Sequence, residues 1–164
     1  AVRAEDGRGE PTALLDAVRA HFGATTLAEA VARLHLSGVA FDPNPLCPLL
    51  FEVAAAGDAV ARSVVDRLVE EVALLAGVSL TRLGLPAEPV DVVLGGGVLT
   101  GTGGVVVDAV AARLAEIAPA ARVRVVDVPP VVGAALLGLD AVGAAPGAEN
   151  RLRAEHESAG SHRW

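Results

Sequence analysis

The stretch VDVVLGGGVLTGTGG, residues 90–104, runs four apolar residues around Asp91 into three consecutive glycines, after which the apolar pattern resumes. Such a run reads as a short buried strand that ends on residues without Cβ. Glycine accepts φ > 0 and turns a chain with no steric cost. The missing Cβ also lets a ligand reach the main chain, and in open α/β sheets ligands sit in the crevice beyond the carboxyl ends of strands. Gly95, Gly96 and Gly97 suit a turn and a binding loop equally, and their surroundings must decide.

Downstream of the glycines, residues 104–118 have a helical pattern whose polar arc holds Asp108, Arg113 and Glu116. ARVRVVDV, residues 121–128, follows as a second strand. Pro129 and Pro130 then open PPVVGAALLGLDAVG, expected to be a buried helix because nearly all its residues are apolar or small. The order strand, helix, strand, helix predicts parallel neighbouring strands near 90–95 and 122–127. The unbroken apolar run of the first strand suits a sheet covered by helices on both faces.

Upstream, residues 1–11 are polar and glycine-rich and predict a turn or linker. In TALLDAVRAHFG, Leu14, Leu15, Val18 and Phe22 share one helical face, and Gly23 suits a left-handed stop. TTLAEAVARLHLSG carries a capping-box spacing at Thr26 and Glu29, with Gly38 at its end. FDPNP is a turn, with Asn44 placed to cap and Pro45 at the first position of the apolar helix LCPLLFEVAAAG. Asp58 is the expected N-cap of the longest helix, about residues 59–83. Arg62, Asp66 and Glu70 form a stripe on it, expected to be solvated. Val64, Val65, Leu68, Val69, Val72 and Leu75 are expected on its covered side, and Gly77 permits a close approach. Three helices should precede this one. Residues 144–164 are polar and expected to lack structure.

The chain of 164 residues suffices for one domain with a core. Its net charge is −7 and all 13 of its basic residues are arginine, scattered with no basic run, which argues against a nucleic-acid surface. Cys47 is alone, so an internal disulfide and a paired-cysteine metal or redox site are excluded, and a reducing, cytoplasmic compartment is expected. His21, His35, His156 and His162 have no metal-binding spacing. No apolar run reaches the roughly 18 residues that span a bilayer, and no signal peptide opens the chain. The start without methionine suggests a piece of a longer protein.

Nucleophilic catalysis finds no support: there is no GxSxG elbow, and Cys47 sits in an apolar helix as a small buried hydrophobe would. A Walker A loop needs lysine, which the chain lacks. A dinucleotide fingerprint fails in register, since Gly95 and Gly97 would need a glycine at Thr100. Gly133, Ala134 and Ala135 would allow close helix packing or leave space beside an adenine. Asp91 precedes its strand, and Asp127 ends the next one, where a capping role suits it.

LLFEVAAAGDAVARSVVDRLVEEVALLA, VDVVLGGGVL and VPPVVGAALLGLD together resemble the C-terminal lobe of BadF/BadG/BcrA/BcrD-type ATPases, and within them the bacterial N-acetylglucosamine kinase-like proteins. DGRGEPTALLDAVRAHFG resembles the segment after the second phosphate motif of that branch, so the resemblance covers about residues 1–142. It implies an actin/hexokinase/Hsp70 architecture: an α/β, RNase H-like C-terminal lobe with a parallel βαβα unit and an additional helical segment. Residues 1–143 would be that lobe and 144–164 a disordered tail. Gly95, Gly96, Gly97 and Val98 would form the adenosine motif, with Gly133 and Ala134 beside the pocket. The catalytic aspartate, the metal-orienting acid and both phosphate loops would lie upstream of Ala1, leaving no catalytic residue here. The implied activity of the whole protein is ATP-dependent phosphorylation of N-acetylglucosamine or a related amino sugar, with Mg²⁺. No nucleic-acid or membrane partner is expected, and a homodimer is an allowed assembly. The alternatives are a non-catalytic nucleotide- or sugar-sensing regulator of the same architecture, and an activator ATPase of acyl-CoA dehydratases. The lone Cys47 speaks against the activator, whose iron–sulfur cluster is held by cysteines of two subunits.

Overall fold

A computed structural model describes residues 1–36, 45–101, 104–126, 128–145 and 147–159. The chain divides into two compact units, Ala1–Val125 and Val126–Trp164.

The first unit is built around a parallel pair of strands, β1 (Asp91–Leu94) and β2 (Arg122–Val125), in the register Asp91↔Arg122 to Leu94↔Val125. Parallel pairing is what the alternation of strand and helix predicts, and the coarse class is mixed α and β. Helices α1 (Val2–Glu5), α2 (Leu14–Phe22), α3 (Leu27–Leu36), α4 (Leu46–Ala55) and α5 (Ala59–Arg82) precede the sheet. Between the strands lie α6 (Gly97–Gly101) and α7 (Val105–Ile117).

The long helix starts where its cap predicts. Asp58 is extended at ψ 122°, and its Oδ1 accepts from the Ala61 amide at 2.8 Å. The same carboxylate accepts from the Thr12 hydroxyl at 2.8 Å and the Ala13 amide at 2.7 Å, which ties the entry of α2 to the entry of α5. These amide and hydroxyl donors, Ala61 first and Ala13 next, hold the Asp58 carboxyl below the usual carboxylate range. At α3 the Thr26 hydroxyl accepts from the Glu29 amide at 3.1 Å, while Glu29 reaches back to the Thr25 amide. The second arm of the capping box therefore falls one residue early. Gly23 closes α2 at φ 58°. Asn44 and Gly38 lie outside the described residues, and Pro45 flanks α4 rather than opening it.

The core forms where α5 and α7 meet one face of the sheet. Val106, Val110 and Leu114 of α7 are buried with Ala73 and Leu80 of α5 and with Leu94 of β1, and Val92 and Val123 pack against them. Gly77 makes that approach possible: a Cβ there would stand 2.9 Å from Ile117 Cδ1.

The other sheet face departs from expectation. Val93 is 59% exposed, and the same face carries Asp91, bridged by Arg122 at 2.9 Å and Arg124 at 3.1 Å. The alternation Arg122, Val123, Arg124, Val125 in β2 explains it, because every second side chain is a guanidinium that must stay in water. On α5 the stripe Arg62, Asp66 and Glu70 is exposed as expected, with Glu70 paired to Arg113 at 2.7 Å. Val64 and Leu75, expected on the covered side, are exposed as well, since α4 and α7 together cover a narrower arc than α5 presents. Residues 2–5, expected in a linker, form the single turn α1, whose Glu5 accepts from the Leu27 amide and pairs with Arg19.

The second unit is a helical pair, α8 (Pro130–Ala141) and α9 (Ala148–Ala159). Two expectations change here. The tail from 144 onward was expected to lack structure, yet 148–159 is helical. The α8 helix was expected to be buried, yet only Val132 is, with Val131 and Leu137 67% and 70% exposed. One strongly polar neighbour cannot cover an apolar helix on all sides.

Candidate functional site

Leu94 is buried and anchors the end of β1, and the chain leaves it through Gly95, Gly96 and Gly97. Gly96 has φ 104°, a conformation that residues with Cβ rarely adopt, so a turn requires glycine there. Gly97 opens α6, and the Leu99 amide donates to the Gly96 carbonyl at 3.0 Å. Among the described residues, a Cβ built on Gly95, Gly96 or Gly97 meets no atom within 4 Å beyond the adjoining chain. Gly95 and Gly97 also lack positive φ. Neither backbone conformation nor internal packing therefore demands glycine at those two positions.

Gly97 and Val98 line a cavity of about 770 Å³. Its opposite wall is α4, which contributes Pro48, Phe51 and Ala55 as apolar surface and Glu52, the one charged residue of the lining among the described residues. The volume is within the range of small-molecule sites. Cys47 also borders the cavity and is half-buried, which corrects its expected burial. The α4 helix has no fully buried residue at all. Its role at the site was missed from the sequence, where an apolar helix reads as core. The available signal was Glu52, the single charge between residues 46 and 57.

Gly133 and Ala134 are exposed on α8 in the second unit. There Gly133 borders a separate cavity of about 270 Å³ with Val132, Leu136 and Arg153. Asp127 lies outside the described residues. His21 stacks edge-on against Phe22 at 4.8 Å, as a structural pair would.

Among the described residues there is no group of three or more His, Cys, Asp or Glu side chains that could hold a metal ion. Among them, too, no helix is long and apolar enough to cross a membrane. Family models, curated proteins and solved structures were compared with the chain, and none matches it.

Proposed function

We propose that this chain is the adenosine-binding part of an ATP-dependent sugar kinase acting on N-acetylglucosamine or a related amino sugar. The observation that carries the reading is the loop at the carboxyl end of β1. Among the described residues, Gly95 and Gly97 serve no internal need, and Gly97 begins a short helix beside a cavity of about 770 Å³, within the range of small-molecule sites. Glycines kept where a side chain would fit favour something approaching from outside the chain. The resemblance of this segment to an adenosine motif supplies the ligand class and the sugar.

In this reading the chain binds and orients the nucleoside end of ATP. It contributes no general base and no metal ligand, so transfer itself falls to other residues of the whole kinase. The 164-residue chain should therefore bind ATP, seen by calorimetry, and release no ADP in a coupled assay with N-acetylglucosamine. Absence of ATP binding overturns the nucleotide reading. Sugar-dependent ADP release would show that catalytic residues lie in this chain after all.

A further inference from the structure

One side of α5 is left open by its principal neighbours, α4 and α7. The covered side holds the buried Ala61, Ala73, Gly77 and Leu80. The open side carries Glu71, Leu75, Val78 and Arg82, whose spacing of four, three and four residues sets them in one row along the helix. Leu75 is 72% exposed, and Val78 and Leu74 beside it are exposed as well. Adjoining apolar side chains on one helix face form the kind of patch that marks an interaction site.

The charges at the two ends of the row identify what covers it. Glu71 lies on one side of Leu75 and Val78, and Arg82 on the other. Consider a second copy of α5 running antiparallel, with a twofold axis at the level of Ala76 and Gly77. Leu75 then meets Val78 of the second copy, and Glu71 meets its Arg82. The twofold repeats both contacts, as a self-complementary interface requires. A parallel pairing would set Glu71 on Glu71 and Arg82 on Arg82, and like charges repel. An antiparallel pairing shifted to match Glu71 with Arg67 would set Leu75 against Ser63. Arg67 already lies 3.8 Å from Glu71 within the chain, whereas Arg82 has no ion-pair partner among the described residues. We infer that two copies of this chain associate through the Leu75 and Val78 face of α5, antiparallel, with Glu71 and Arg82 setting the register. Exposed ion pairs add little affinity, so the apolar row drives the contact and the charges select its geometry. The nucleotide reading does not enter, since no described residue of α5 lines the cavity beside Gly97.

The test is sedimentation equilibrium of the purified chain over a concentration series, with circular dichroism as the check on folding. Wild type should show a concentration-dependent equilibrium between monomer and dimer. Leu75→Glu places a charge in the contact and should weaken the dimer about tenfold or more. Its melting temperature should match wild type at dilutions where both are monomers, because the side chain is exposed in the single chain. Glu71→Arg and Arg82→Glu should each weaken the dimer, and the two together should restore it. A monomer at every concentration overturns the inference, and so does a dimer that Leu75→Glu leaves intact. Rescue of Glu71→Arg by Arg67→Glu in place of Arg82→Glu overturns the register.

Discussion

At Gly96 and Gly97 two adjacent glycines have different reasons to be glycine, and substitution separates them. Gly96 sits at φ 104°, where a Cβ is strained whatever the surrounding space. Gly96→Val should therefore lower stability by about 1–2 kcal/mol. Gly97 has no such conformation and open space around its missing side chain. Gly97→Val should leave the melting temperature nearly unchanged and weaken ATP binding at least tenfold, through the side chain it projects at the cavity. Both quantities should be measured on the same preparations. Unchanged ATP affinity in Gly97→Val would reduce the loop to a turn. The sequence displayed the three glycines but not this division, because φ depends on how the strand end is held by the packed Leu94.

Among elements, the helix entries show how local chemistry is shared across the fold. Asp58 caps α5 and simultaneously receives the first donors of α2, so one carboxylate organises two helices. Its folded-state pKa is depressed, so its contribution to stability is complete above the unfolded value near 4 and is lost as pH falls through the native value. Glu5, held low by the Leu27 amide and Arg19, adds a loss in the same direction. Acid titration followed by circular dichroism should show stability falling below about pH 4. Asp58→Ala should lower the neutral-pH melting temperature and flatten that acid limb. A limb of unchanged steepness would mean that Asp58 is not its source. The contact of α5 with α7 gives a second expectation. Gly77→Val sets a branched side chain against Ile117 and should destabilise by about 2 kcal/mol or more in denaturant titration, as overpacking does. The cap at Asp58, the helix it starts and the close approach at Gly77 were all legible in the sequence, because each depends on residues within a few positions or on size alone.

For the whole molecule, legibility followed the same division between local and distant causes. The parallel pairing of β1 with β2 was readable from element order, and both strands were found within two residues of their expected ends. What could not be read was coverage. The apolar run of β1 suggested two packed faces, yet β2 decides the matter through Arg122 and Arg124, which hold Asp91 on the open side. Likewise α8 is apolar in composition and mostly exposed, because burial depends on what lies against a helix and not on the helix itself. The polar sequence of α9 suggested no structure, yet its interior lacks glycine and proline and forms three turns. At the site, the loop was visible from the sequence and the facing wall was not, since α4 lies more than forty residues before it.

The register of the sheet also sets an order of events in time. Asp91 and Arg122, which begin the paired strands, are separated by 31 residues, and the whole of α6 and α7 must be spanned before the first ladder bond can close. Closing so long a loop has an entropic cost that contacts within α5 or α7 do not carry. Each helix can form at the pace of local structure, whereas the meeting of α5 with α7 at Gly77 and Ile117 and the joining of the strands both wait on long loops to close. Because the glycine loop hangs from the end of β1, it is expected to take its final shape only once those distant contacts are made. A nascent or partly unfolded chain would thus present its helices before the loop and the cavity beside it are complete.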